Sequence, residues 1–219
     1  MRVDYTLYLV TDRKQLLGRD ILDVVSRAVD GGVTLVQLRE KEATAREFLT
    51  IGRKIKELLT DKGIPLIIND RIDIALALDA DGVHLGRDDM PIGIARRMLG
   101  RSKIIGLSAE TLEDVRSPDM KYADYIGVSP VYTTPTKPEL KSSLGIEGLR
   151  KIREATKLPL IAIGGMKADN CREAVENGAD GIAVVSAICS SPDPEEAARE
   201  ILSNIKKGRK NLKALKTHT

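Results

Sequence analysis

The sequence predicts a single (β/α)8 TIM barrel. Two observations carry that reading. Eight short β-rich runs alternate with amphipathic helical stretches along 219 residues. Several of these runs are near-continuously apolar, as parallel strands covered on both faces require. An open doubly wound sheet is the alternative, because alternation alone does not close a sheet.

The elements follow in order. "YTLYLVTD" is the first strand; the basic and apolar start of the chain is too short for a signal peptide. Ile21, Leu22, Val25, Ala28 and Val29 then repeat at helical spacing. "TLVQLREK" is the second strand. Residues 44–63 form a helix, with Phe48, Leu49, Ile55, Leu58 and Leu59 inward and Arg46, Glu47, Arg53, Lys54 and Glu57 around them. "PLIINDR", "GVHLG", "KIIGLSA", "YIGVSPVY", "PLIAIGG" and "GIAVVSAI" supply the remaining strands. Pro65 and Pro159 each open a strand, where a missing N–H costs least. Ala197, Ala198, Ile201, Leu202 and Ile205 mark the last helix. "DADGVHLG" and "NGADGIAVV" are similar entries into strands, as repeated βα units produce.

Composition narrows the function classes. The chain is 42% hydrophobic and 31% charged, which fits a soluble globular domain, and no apolar run reaches membrane-spanning length. Cys171 and Cys189 show no metal spacing, so they read as buried, inert thiols in a reduced cytoplasmic setting. The formal net charge is +3, but residues 206–219, "KKGRKNLKALKTHT", carry six Lys and Arg and no acid, leaving −3 on the body. The expected division is a catalytic barrel over residues 1–205 and a solvated basic tail over 206–219. A nucleic-acid binder carries its positive charge on a folded face, so neither nucleic acid nor membrane is expected as a partner.

In a (β/α)8 barrel the C-terminal ends of the strands form the working face. The second strand brings Gln37, Arg39, Glu40 and Lys41 there, and the third Asn69, Asp70 and Arg71. Arg87, Asp88 and Asp89 follow the fourth, and Ser108 ends the fifth. Thr134, Thr136 and Lys137 follow the sixth, Gly164 and Gly165 end the seventh, and Val185 and Ser186 the eighth. Arg39, Lys41 and Lys137 are phosphate-type cations. Asp70 and Asp89 would repel a phosphate unless a divalent metal lay between them. Neighbouring strands lie about 5 Å apart, so both carboxylates can reach one ion, and Mg²⁺ suits such a set. "IAIGGM" and "VVSAI" give a second anion site, where glycine lets backbone approach a ligand. No nucleophile–base pair is evident, and His84 reads as a packing or hydrogen-bonding residue. Cations with a metal and no general base suit departure of a diphosphate.

"QLREK", "NDR", "ADGVHLG" followed by "DD", "GLS", "DYIGVSPVYTTPTK", "AIGG" and "GADGIAVVSAI" occur in order from Gln37 to Ile188. In these stretches the chain resembles the thiamin phosphate synthase family, also called thiamine-phosphate pyrophosphorylase. The resemblance implies a (β/α)8 barrel that joins hydroxymethylpyrimidine diphosphate to hydroxyethylthiazole phosphate, plain or carboxylated, with Mg²⁺ and release of diphosphate. It implies that Gln37, Leu38, Arg39, Glu40, Lys41, Asn69, Ser108 and Lys137 bind the pyrimidine diphosphate. Asp70 and Asp89 would hold the metal. Thr134, Pro135 and Thr136, with Gly165, Val185 and Ser186, would bind the thiazole phosphate. Arg39, Lys41, Ser108 and Lys137 would carry the dissociative loss of diphosphate.

Arg87 departs from the pattern, since the family commonly has Gln there, and an added cation is expected to pair with Asp88 and Asp89. Two other readings stay open: a thiazole tautomerase or regulatory paralogue on the same fold, and a non-catalytic phosphometabolite-binding barrel. The sequence leaves a homo-oligomer open.

Overall fold

The structure is a computed structural model that describes residues 3–134 and 143–216, with side chains described as far as Leu212. Its elements alternate as β1 (Leu7–Val10), α1 (Ile21–Asp30), β2 (Leu35–Leu38), α2 (Ala45–Asp61), β3 (Leu66–Asn69), α3 (Ile72–Leu78), β4 (Gly82–Leu85) and α4 (Ile92–Leu99). They continue as β5 (Ile104–Ala109), α5 (Leu112–Arg116), β6 (Tyr125–Val128), α6 (Gly145–Ala155), β7 (Leu160–Ala162), α7 (Cys171–Glu176), β8 (Gly181–Val184), α8 (Ser186–Cys189) and α9 (Pro194–Lys216). All eight strands fall within the runs named above, and they close into a parallel barrel in which β1 pairs with both β2 and β8. The open-sheet alternative is thereby excluded.

Local chemistry sets the helix boundaries. Thr44 Oγ accepts from Glu47 N at 3.3 Å while Glu47 Oε2 accepts from Thr44 N at 2.8 Å, a reciprocal cap that starts α2. Asp20 Oδ1 accepts from Leu22 N at 2.8 Å and starts α1.

Strand alternation sorts the core into two layers. Leu7, Leu9, Val36, Leu38, Ile68, Val83, Ile126 and Leu160 point outward and pack beneath the helices. Tyr8, Val10, Leu35, Ile67, Tyr125, Ile161 and Ala183 point inward and fill the barrel. Phe48 seals α2 onto the sheet and is fully buried, a contribution of about 2–3 kcal/mol.

Helix α9 does not stop at residue 205. It runs through the expected boundary with the tail. Buried Gly208 packs on Val175, the Arg209 guanidinium donates to the Asp180 carbonyl, and Asn211 Nδ2 donates to Glu176 Oε1 at 2.6 Å. Residues 206–212 therefore lie along α7 rather than hanging free. Lysine and arginine are good helix formers and are favoured near a helix C-terminus.

Candidate active site

The barrel mouth holds a cavity of about 680 Å³ lined by residues from the C-terminal ends of the strands. Alternation along β2 decides which predicted residues reach it. Gln37, Arg39 and Lys41 face the cavity. The side chains of Leu38 and Glu40 do not line it, so any contact of these residues with the substrate falls to their backbone. Leu38 is fully buried in the layer between sheet and helices. Glu40 turns to Arg13, whose Nε and Nη2 lie 3.0 and 2.9 Å from Glu40 Oε2.

The cations that follow β2 are held by carboxylates. Arg39 Nη1 lies 2.5 Å from Asp12 Oδ2, and the Lys41 ammonium pairs with Asp70. Asp70 has a φ of +60°, left-handed backbone that side chains other than glycine, Asn and Asp rarely adopt. Such an outlier at a strand end points to function. The Asp70 carboxyl lies close enough to Asp89 for each to shift the other's proton affinity.

Their proton affinities diverge. Burial pushes the Asp70 carboxyl up, but hydrogen bonds from Asp89 and Lys41 and the lysine's charge outweigh it and hold the group below the usual carboxylate range. Burial and the neighbouring Asp70 push Asp89 above that range, against the Gly86 N–H, which donates to Asp89 Oδ2 at 2.6 Å. Two carboxyls that share one site, with the lysine paired to only one of them, diverge in this way.

Asn69 and Ser108 also line the cavity, on β3 and β5. His84 on β4 lies between hydrogen-bond partners, with Nε2 3.0 Å from Ser108 Oγ and Nδ1 2.9 Å from the Tyr125 hydroxyl. It is a hydrogen-bonding residue, as the sequence predicts. Arg87 does not pair with Asp88 or Asp89: its Nη2 reaches Asp114 Oδ1 at 2.6 Å, the carboxylate at the start of α5. The Asp70–Asp89 geometry is undisturbed by it. Arg71 turns to Asp73 on α3.

On the opposite wall, Thr134, Gly165, Val185 and Ser186 line the cavity. The glycine pair has a specific task. A Cβ on Gly164 would lie 2.6 Å from Pro130 Cβ, and one on Gly165 would lie 2.7 Å from the Thr133 carbonyl oxygen. The backbone these glycines admit is that of the segment after β6, so they seat that segment on β7. Pro135, Thr136 and Lys137 lie outside the described residues.

Sequence reasoning missed several lining residues. Tyr8, Tyr125 and Ile161 form the floor, and Glu110 and Lys167 stand at the rim. The inward register of β1 and β6 marks the tyrosines once the barrel is assumed, since both sit at alternate strand positions facing the axis. Cys171 and Cys189 are buried free thiols, each pushed up to about 11 by burial. No helix among the described residues is long and apolar enough to cross a membrane.

Comparison with known proteins gives a consistent picture. Residues 7–188 match the family model of thiamine monophosphate synthase. A thiamine-phosphate synthase of Syntrophomonas wolfei is 52% identical over 198 residues, 90% of this chain and 95% of that protein. One from Albidiferax ferrireducens is 55% identical over 192 residues, 88% of each chain. The solved structure of thiamine phosphate pyrophosphorylase from Pyrococcus furiosus superposes with a TM-score of 0.85 at 38% identity, covering 94% of this chain and 98% of that one. A 3-hexulose-6-phosphate synthase, with a TM-score of 0.68 at 17% identity, shares the fold alone. With its closed barrel and this degree of likeness, the chain belongs to the thiamine monophosphate synthase family.

Proposed function

We propose that this chain condenses 4-amino-2-methyl-5-hydroxymethylpyrimidine diphosphate with 4-methyl-5-(2-hydroxyethyl)thiazole phosphate, giving thiamin phosphate and diphosphate. The observation that carries the reading is the convergence of Arg39, Lys41, Asn69, Asp70, Asp89 and Ser108 on one cavity from four consecutive strands and their loops. In the reaction the bond between the pyrimidine methylene carbon and the diphosphate oxygen breaks, and its electron pair leaves with the diphosphate. The thiazole nitrogen then forms the new C–N bond. The ring-bearing cation is tolerated because the aminopyrimidine is electron-rich.

Asp70 and Asp89 fit Mg²⁺. They are adjacent oxygen donors, and Mg²⁺ takes one or two carboxylates and fills its shell with phosphate oxygens and water. When bound, the ion would neutralise charge on the diphosphate. Arg39 and Lys41 stand on the same side and offer N–H donors to its oxygens. Ser108 offers a hydroxyl. Gln37 and Asn69 present amide groups that orient the pyrimidine above a floor of Tyr8, Tyr125 and Ile161. Thr134, Pro135 and Thr136, with Gly165, Val185 and Ser186, are assigned to the thiazole phosphate, and Lys137 to the pyrimidine diphosphate and its departure. Holding the thiazole nitrogen against the methylene carbon makes the attack effectively intramolecular. Two buried free thiols suit the reduced cytoplasm.

The test is an assay with both phosphorylated substrates, with and without Mg²⁺. Formation of thiamin phosphate only with the metal is expected. Binding of both substrates without product would instead support a metabolite-binding barrel. Isomerisation of a thiazole phosphate alone would support a tautomerase.

A further inference from the structure

The floor of the cavity carries an unbroken hydrogen-bond chain from β2 to β5. Gln37 Nε2 donates to the Tyr8 hydroxyl at 2.8 Å, and the Tyr8 and Tyr125 hydroxyls are 2.9 Å apart. The Tyr125 hydroxyl is 2.9 Å from His84 Nδ1, and His84 Nε2 is 3.0 Å from Ser108 Oγ. Both ends, Gln37 and Ser108, face the substrate space.

Counting protons fixes the direction of the chain. Each phenol has one proton to give. Tyr8 receives an N–H from Gln37, so its own proton goes to Tyr125. Were Tyr125 to donate back to Tyr8, the Tyr8 proton would face a fully buried setting with no acceptor, at a cost of about 1–3 kcal/mol. Tyr125 therefore donates to His84 Nδ1. In the neutral imidazole the proton then sits on Nε2, which donates to Ser108 Oγ. With an oxygen lone pair taken, the Ser108 hydroxyl is left to donate into the cavity. Burial pushes both phenols well up, so both stay protonated donors at any working pH.

The barrel is shaped for this chain. A Cβ on Gly106 would lie 2.1 Å from Tyr125 Cζ, and one on Gly127 would lie 3.0 Å from His84 Cε1. The His84 and Tyr125 rings stack with centroids 5.5 Å apart, and Tyr8 meets Tyr125 edge-on at 5.9 Å. Glycines on β5 and β6 thus make the room that the two rings occupy.

We propose that His84, oriented by Tyr125 and Tyr8, is a positioning residue that locks the Ser108 hydroxyl as a hydrogen-bond donor aimed at the leaving diphosphate. The kinetic part rests on the synthase reading above; the orientation of the chain does not. A diphosphate oxygen gains charge as the C–O bond breaks, and a hydroxyl already pointing its proton at it needs no reorientation. An accepting hydroxyl would oppose that charge.

Two measurements test the proposal. Nitrogen NMR of the imidazoles reads the tautomer directly, and the chain has only two histidines, His84 and His218, so His218→Asn assigns them. A proton on Nε2 with bare Nδ1 is expected in the wild type, and Tyr125→Phe should give mixed tautomers. A wild-type proton on Nδ1 overturns the proposal.

The second measurement is a kinetic cycle of Tyr125→Phe and Ser108→Ala. Tyr125→Phe should lower kcat about tenfold with KM within about twofold, and lower it less than about twofold further in the Ser108→Ala background. The same factor in both backgrounds, or wild-type kcat in Tyr125→Phe, overturns it. His84→Gln, which keeps an N–H near Ser108, should retain more kcat than His84→Leu; equal loss counts against the role. If wild-type protein makes no thiamin phosphate, the synthase reading fails, and the tautomer still decides the orientation of the chain.

Discussion

Arg39 just beyond β2 and Asp12 just beyond β1 form a partly buried ion pair, with Arg39 Nη1 2.5 Å from Asp12 Oδ2. Asp12 Oδ1 also accepts from Lys14 N at 3.0 Å and Gln15 N at 3.3 Å, so the carboxylate is fixed before it meets the guanidinium. The pair holds Arg39 at the cavity wall with other N–H groups left for an anion. Asp12→Asn keeps the local turn and removes the charge that orients Arg39. It should lower kcat/KM for the pyrimidine diphosphate about tenfold while costing less than about 1 kcal/mol of stability. Steady-state kinetics beside thermal unfolding checks both parts.

The Asp70–Asp89 contact predicts how stability responds to pH and metal. Asp89 binds its proton more tightly folded than unfolded, so its contribution favours the fold at low pH and is lost as pH rises through its raised pKa. Asp70 is shifted down, so its contribution is present above the unfolded value and lost as pH falls through the lowered one. Asp89→Asn should raise the stability of metal-free protein at neutral pH by a few tenths of a kcal/mol, since both groups are partly solvated. Mg²⁺ is expected to raise the Tm of the wild type, and this variant should lose that rise. Calorimetry with and without Mg²⁺ reads both effects.

Gly106→Ala places a methyl where the Tyr125 ring stands, with the Tyr125 hydroxyl 2.4 Å and Cζ 2.1 Å from the new carbon. Rigid neighbours on three strands leave the ring little space to move. The substitution should cost about 2–3 kcal/mol by overpacking, and denaturant unfolding measures it.

Removal of residues 208–219 tests the continuation of α9. The deletion removes Gly208 from Val175, Arg209 from the Asp180 carbonyl and Asn211 from Glu176. Stability should fall by about 1–3 kcal/mol, while kcat of the remaining folded protein stays within about twofold, because these contacts lie away from the cavity. An unchanged Tm would restore the picture of a solvated tail.

The strands and their order were legible because each is a short apolar run between helical stretches, whereas closure was not, since the same alternation fits an open sheet until β1 is seen to pair with β8. The polar ends Arg39, Lys41, Asn69, Asp70 and Asp89 were legible because loop-facing charges beside buried strands stand out. The directions of the Leu38 and Glu40 side chains were not legible, because a contiguous motif hides both the alternation that buries Leu38 and the ion pair that draws Glu40 to Arg13. Arg87 was misassigned because its partner, Asp114, sits 27 residues away on a neighbouring unit, a distance that only the folded barrel removes. Tyr8 and Tyr125 escaped notice because a strand tyrosine reads as packing until the barrel axis is known. The basic stretch after residue 205 was read from charge alone, which carries no information on Gly208 meeting α7.

The pairing of β1 with β8 has a bearing on synthesis. Leu7–Val10 emerges from the ribosome first, yet its second hydrogen-bonded neighbour, Gly181–Val184, comes more than 170 residues later. Throughout translation the nascent chain therefore presents an open strand edge, the kind of surface that invites wrong pairing and chaperone capture.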